Sequence, residues 1–367
     1  MAGRIVLFGA TGFTGGLVAE RLVAQGERPV LAGRDPERLK RLADRLGSDL
    51  ETVKADVLRQ NSVFSAVGDG DVLVSTVGPF AKYGDVAVRA ATAAGATYLD
   101  STGEPSFIRR VFQQFDEPAR RQGAALLTAM GYDWVPGALA GALALDRAGA
   151  GAVRVDVGYY ALGGGAEFAS PGTKESLVGA TLDPAFAFRD GRLVTERGGA
   201  RIRTFRIAGR DRPAMSIGAA EHFTLPAAFP QLRDVNAYLG WFGPLTRAVA
   251  AGSLATSIVT RVPGTRAVMQ AAGERLMALA PSRTAESAGS STSFIAAEAY
   301  AADGTRLADV LLQGADGYAF TAGLLSWAAR RAASTGVDGT GALSPVAAFG
   351  LEALTAGAAE AGISESP

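Results

Sequence analysis

The side chains able to carry a proton or attack a reacting group are few in this chain. Cysteine is absent and His222 is the single histidine. Thiol nucleophiles, disulfides and Cys-ligated metals are therefore excluded, and a Ser–His–Asp triad or His-rich metal site is disfavoured. The candidates for acid–base work are Tyr83, Tyr132, Asp133 and Lys174. Tyr83 can donate a phenolic proton or merely pack its loop. Tyr132 and Asp133 precede Val135-Pro136, so Asp133 can work as an acid or base, or cap the helix that starts there. Lys174 is a rare lysine among arginines in a Gly-rich stretch. It is either a base tuned by desolvation or an ordinary surface lysine. His222, beside Glu221, reads better as a satisfied structural histidine than as a proton shuttle.

A second set of residues points to a ligand. Gly9-Ala10-Thr11-Gly12-Phe13-Thr14-Gly15 follows the apolar run Ile5-Val6-Leu7-Phe8 and opens a helix. Glycines there let the backbone turn tightly and approach a pyrophosphate with no Cβ in the way. The helix start adds free N–H groups and the positive end of a dipole. In that strand–turn–helix context the spacing is a strong dinucleotide signal, assigning Gly9, Thr11, Gly12, Phe13, Thr14 and Gly15 to the cofactor. The next strand ends Leu31-Ala32-Gly33-Arg34. An acidic residue there would suit the ribose hydroxyls of NAD. An arginine suits a 2′-phosphate, with Arg38 as a second partner, so the expected cofactor is NADP(H). Asp35 could reach the ribose, but Pro36 behind it favours a capping role. Asp56 and Val57 follow the third strand, at the adenine edge or at a helix cap. Thr76, Val77, Gly78, Pro79 and Phe80 close the fourth strand, either beside the nicotinamide ribose or as a simple stop signal. Hydride chemistry then needs a proton donor, and the Tyr-x-x-x-Lys pair of many alcohol dehydrogenases is absent from all eight tyrosines.

These residues need a scaffold, and its pattern is legible. Up to about residue 128, strands (Ile5–Phe8, Pro29–Ala32, Glu51–Ala55, Val72–Thr76, Thr97–Asp100, Ala125–Thr128) alternate with helices (Leu17–Leu22, Pro36–Leu46, Val86–Ala94, Ser106–Arg121). Such alternation predicts an α/β fold, a doubly wound parallel sheet of Rossmann type. Beyond Met130 the texture changes. Val153–Tyr160, a hairpin over Ala185–Thr195 around Asp190-Gly191, Arg201–Ile207, Val235–Leu239, Thr292–Ala299 and Ala308–Gln313 read as strands of a second, mixed α+β domain. The expected division is 1–130 for the dinucleotide domain, 131–315 for a substrate domain and 316–367 for C-terminal helices (Tyr318–Ala333, Pro345–Ala359). Their packing partner stays open. Residues 284–291 read as a polar loop, and Ser364 to Pro367 as a frayed end.

Composition narrows the partners. Lys+Arg and Asp+Glu balance at 36 each, with 48% hydrophobic residues over 367 positions. With no basic run, the sequence argues against a nucleic-acid partner. Met1-Ala2-Gly3-Arg4 leads straight into a short strand, too short for a signal core, and no apolar stretch reaches membrane-spanning length. A cytoplasmic enzyme is expected, acting on a small-molecule or carrier-bound substrate, with a homodimer left open.

Several segments resemble one family. Gly9 to Gly15, Ala32-Gly33-Arg34, Val77-Gly78-Pro79-Phe80 with Tyr83-Gly84, and Tyr98-Leu99-Asp100-Ser101-Thr102-Gly103-Glu104 look like the saccharopine dehydrogenase-like NADP-binding domain. Gly131-Tyr132-Asp133-Trp134-Val135-Pro136, Gly172-Thr173-Lys174-Glu175-Ser176, Gly314 to Tyr318 and Gly341 to Pro345 extend the likeness along nearly the whole chain. Within that family the look is nearest to trans-acting enoyl reductases. The resemblance implies NADPH-dependent reduction of a C=C bond in a lipid, polyketide or other secondary metabolite. Saccharopine-type C=N reduction and a non-catalytic NADP(H)-sensing protein are the alternatives.

Overall fold

The computed structural model describes residues 3–47, 49–163, 185–259, 265–279 and 291–366. The chain divides into two compact units. The first takes Met1–Gly103, Phe107–Asp133 and Gly317–Gly362; the second takes Glu104–Ser106, Trp134–Asp316 and Ile363–Pro367.

In the first unit, β1 (Ile5–Phe8), β2 (Val30–Gly33), β3 (Thr52–Lys54), β4 (Val72–Ser75), β5 (Thr97–Asp100) and β6 (Ala125–Leu127) form one sheet, edged by Gly341–Ala342. Every pairing is parallel, in the order β3-β2-β1-β4-β5-β6. β1 is buried along its whole length, as a central parallel strand covered on both faces must be. Strand order reverses between β1 and β4, the crevice where open α/β sheets bind ligands beyond their carboxyl ends. Helix α1 (Phe13–Ala24) follows β1 and α2 (Pro36–Arg45) follows β2. α2 buries Leu39, Leu42 and Ala43, while the Asp35 carboxylate accepts from Arg38 N at 3.1 Å and Pro36 takes the first turn. The capping reading of Asp35 is thus what the structure shows. α3 (Gln60–Phe64) and α4 (Phe80–Ala94) come next, and α4 stops at Gly95 with φ +66°. The expected helix over Ser106–Arg121 is divided by a π-helical turn at Val111–Phe115.

The C-terminal helix Gly317–Thr335 belongs to this first unit, packing along α1. The single helix expected over Pro345–Ala359 is two, Pro345–Phe349 and Leu351–Glu360. Gly350 at φ +78° breaks it.

In the second unit, β7 (Arg154–Gly163), β8 (Ala185–Arg189), β9 (Arg192–Glu196), β10 (Ile202–Ile207), β11 (Arg210–Ile217), β12 (Asp234–Leu239), β13 (Ser291–Tyr300) and β14 (Arg306–Gly314) make a mixed sheet. Only β12–β7 is parallel among its pairings. Period-two alternation on β7 puts Val157 and Tyr159 against the glycine-bearing helix Val135–Ala148, and Gly158 and Tyr160 against Phe205. β11 was not expected. It contains Pro213, a signal against a central strand. β12 pairs with β11 over Met215–Ile217, so among the described strands Pro213 is paired by β10 alone. The tail expected to fray is instead a strand, Ile363–Glu365, on β14. Arg147 clamps Glu365 through two bonds of 2.6 Å. Residues 284–290 and Lys174 lie outside the described residues. Among those described, no helix is long and apolar enough to cross a membrane.

Candidate dinucleotide site and acid cluster

A cleft of about 320 Å³ opens beyond the carboxyl ends of β1, β2 and β4 in the first unit. Its floor is the glycine turn. Gly9 holds φ +93°, and a Cβ there would sit 2.7 Å from Thr76 Oγ1. A Cβ on Gly15 would sit 2.2 Å from the Gly9 carbonyl oxygen. Both positions therefore admit only glycine. Gly12 begins α1 with no side-chain cap and no acid in the first turn, leaving the helix start open to an anion. Thr76 Oγ1 donates to the carbonyls of Phe8 or Gly9, 3.2 Å from each, tying the β4 turn to the β1 turn.

Arg34 stands at the tip of β2 on the cleft wall, exposed and with no hydrogen-bond or ion-pair partner among the described residues. Arg38 also lines the wall and donates to the Thr11 carbonyl at 3.0 Å, bracing the glycine turn. Asp56 and Val57 border the far end. Asp56 accepts from Leu58 N at 2.9 Å and so shapes its own turn. Val77, Gly78 and Tyr83 complete the wall.

Of the residues assigned from sequence, Gly9, Thr11, Gly12, Arg34, Arg38, Asp56, Val57, Thr76, Val77, Gly78 and Tyr83 meet in this cleft. Phe13, Thr14, Gly15, Pro79 and Phe80 are not on its wall. The Phe13 ring instead meets Tyr318 edge-on at 5.0 Å, and Phe80 packs on Phe107 in the core. Leu58 was missed. It is 82% exposed beside the cleft, and an apolar residue directly after Asp56-Val57 is the signal that could have found it.

Tyr132 and Asp133 lie off the cleft, in the loop that leaves β6. Tyr132 is buried against Gly317, and its N–H donates to Thr321 Oγ1 at 3.0 Å. Asp133 is partly buried and has no hydrogen-bond partner among the described residues. Burial alone lifts its carboxyl to a pKa of about 6. The helix Val135–Ala148 starts at Trp134 with no side-chain cap, so the Asp133 carboxylate is not spent on capping. Asp100, at the end of β5, is fully buried, and burial raises its carboxyl to about 6 as well. Backbone N–H groups of Ala129 and Thr102 and the Thr128 hydroxyl pull it back down.

In the second unit several arginines meet acids of their own unit. Arg203 pairs with Asp156 and Glu298, Arg189 with Asp234, Arg201 with Glu196, and Arg306 with Glu298. His222 is buried, accepts from Ala219 N at 3.1 Å and meets the Phe186 ring edge-on. Burial pushes its pKa down to about 4, so it is neutral at pH 7 and structural.

Residues 9–100 match the family described as NAD(P)H-binding, so the cleft belongs to an NAD(P)H-binding domain. Apo saccharopine dehydrogenase (L-Glu forming) from Saccharomyces cerevisiae superposes over 99% of both chains with a TM-score of 0.62 at 13% identity. The fold is therefore that of saccharopine dehydrogenase, a Rossmann-type parallel sheet with a second mixed domain. Proteins named trans-acting enoyl reductase in Mycobacterium ulcerans and Mycobacterium tuberculosis are each 38% identical over 137 residues. That match covers 36% of this chain and 33% of each relative, so the chain matches about a third of their length.

Proposed function

We propose that this protein is an NADPH-dependent reductase of a conjugated C=C bond in an apolar substrate, of lipid or polyketide type, free or carrier-bound. The observation that carries the reading is the cleft at the β1/β4 crossover. It combines a glycine cradle at an uncapped helix start with an unpartnered guanidinium at the tip of β2. The cradle fits a diphosphate. Arg34 fits the 2′-phosphate that distinguishes NADPH from NADH.

When bound, the nicotinamide supplies a hydride to the β-carbon of the substrate. The electron pair of the C=C bond moves toward the activating carbonyl, and the α-carbon then needs one proton. Asp133, outside the cofactor cleft on the loop that leaves β6, is the acid this reading assigns to that proton. Its carboxyl is held near a pKa of 6, so it keeps a protonated fraction close to neutrality, and its hydrogen is pledged to no other group. Tyr83 borders the cleft and orients what lies there.

A dicarboxylate substrate needs guanidinium groups with free donors. Arg189, Arg203 and Arg306 of the second unit are paired with carboxylates of that unit, which supports C=C over the saccharopine-type C=N reaction at those positions.

The test is NADPH oxidation against panels of enones, enoyl thioesters and imines. Activity on the first two and none on imines is expected. Asp133→Asn should bind NADPH within about twofold of wild type but reduce at least about 100-fold more slowly, the usual scale of general-acid catalysis. NADPH binding with no electrophile accepting hydride would replace this reading with that of a sensor.

A further inference from the structure

The loop that carries Asp133 does not hold itself. Ala129, two residues past the end of β6, has φ +63°, a conformation that costs an L-residue about 1–2 kcal/mol. One buried side chain makes the bonds that fix it. Asp100 Oδ1 accepts from Ala129 N at 2.8 Å and from Thr102 N at 2.9 Å, while Oδ2 accepts from Thr128 Oγ1 at 2.7 Å. The Asp100 carbonyl takes Met130 N at 2.7 Å. A single residue at the end of β5 thus ties together the loop after β5 and the loop after β6. Thr102 is followed by Gly103, and Gly103 lies directly against the acid. A Cβ on Gly103 would stand 2.3 Å from Asp133 Oδ2 and 3.2 Å from its Cγ.

We infer that Asp100 is a positioning residue for Asp133. Its three acceptor bonds lock the β5 and β6 loops in one register, and the bare backbone of Gly103 forms the wall that keeps the Asp133 carboxyl in a shielded place. This rests on the reading of Asp133 as the proton donor. Asp100 has no opening of its own to the cleft, since it is fully buried and the Ala129, Thr102 and Thr128 donors on its carboxylate are internal. The bonds require an acceptor pair, not a charge. Asparagine keeps Oδ1 for both N–H groups and offers its amide to Thr128 Oγ1; alanine keeps nothing.

The experiment reads the carboxyl itself, with no substrate. Protein carrying carbon-13 in its aspartate carboxyls is saturated with NADPH and titrated by NMR, and Asp133→Asn identifies the Asp133 signal. In Asp100→Ala the Asp133 midpoint should fall by at least about one pH unit, because the freed loop lets water reach the carboxyl. Asp100→Asn should restore the wild-type midpoint. Should Asp100→Ala not fold, Gly103→Ala provides the second arm, displacing the carboxyl with Asp100 intact and shifting the midpoint the same way. An Asp133 midpoint unchanged in folded Asp100→Ala or in Gly103→Ala overturns the inference. So does an Asp100→Asn midpoint that matches alanine. The proton-donor reading fails separately, if Asp133→Asn reduces the panel substrates at wild-type rate.

Discussion

Truncating Arg34 should separate the two nicotinamide cofactors. The side chain is exposed and touches no partner among the described residues, so Arg34→Ala removes no internal bond and should leave stability within about 0.5 kcal/mol. Hydrogen bonds to a charged group contribute about 1.5–3 kcal/mol. Solvent at the cleft mouth screens this one, so the lower end applies, about 1.5 kcal/mol or roughly tenfold in Kd for NADPH. NADH has no 2′-phosphate and should bind within about twofold of wild type. Arg38 gives the contrast. Its guanidinium braces the Thr11 carbonyl, so Arg38→Ala loosens the glycine turn and weakens both cofactors. Isothermal titration of wild type and both variants with NADPH and NADH reads the effect directly. Repeating it at higher salt should shrink the NADPH penalty, because a Debye length of about 8 Å at physiological ionic strength shortens further. Equal losses for both cofactors in Arg34→Ala would refute the reasoning.

Two other perturbations test the scaffold. Gly15→Ala should lower Tm and abolish measurable NADPH binding, because its Cβ would lie 2.2 Å from the Gly9 carbonyl. Gly16→Ala, whose nearest neighbour would be 4.0 Å away, should be neutral or stabilising by up to about 1 kcal/mol. Similar binding by the two variants would contradict the close-approach argument. His222 should make the protein acid-sensitive. Its folded value near 4 lies below its ordinary 6.5, so the unfolded chain binds the extra proton between those limits. Stability is therefore lost as pH falls from 6.5 toward 4, by up to about 3 kcal/mol. Asp100 and Asp133 act the other way, since their raised values make the folded state bind protons more readily below about 6. Subtracting urea unfolding curves of His222→Asn from wild type at pH 7 and 4.5 isolates the histidine; no difference between the two pH values would remove it as a cause.

The strand–turn–helix start was readable because its causes are local. Ile5 to Phe8 is apolar throughout, Gly9 and Gly15 stand where any Cβ collides, and Asp35-Pro36 caps and opens α2 within four residues. The same locality placed Arg34 and Thr76 at strand ends, which a parallel sheet brings to one edge. The missed elements depend on distant partners. β11 carries a proline that alone argues against a strand, yet β10 and β12 pair with it. Ser364 to Pro367 looked like a loose end, but β14 holds Ser364 and Glu365, and Arg147 pairs with Glu365.

Periodicity, glycine sterics and capping chemistry are properties of neighbours in the chain, and by themselves they determined the parallel sheet, the glycine cradle and the arginine at its rim. Burial and pairing are properties of neighbours in space. Only the tertiary structure decided that Arg189, Arg203 and Arg306 are paired with acids of their own unit, that His222 is held uncharged, and that Asp133 is kept shielded without a partner among the described residues. Desolvation and long-range hydrogen bonds set those charge states, and neither is encoded in any short stretch of residues.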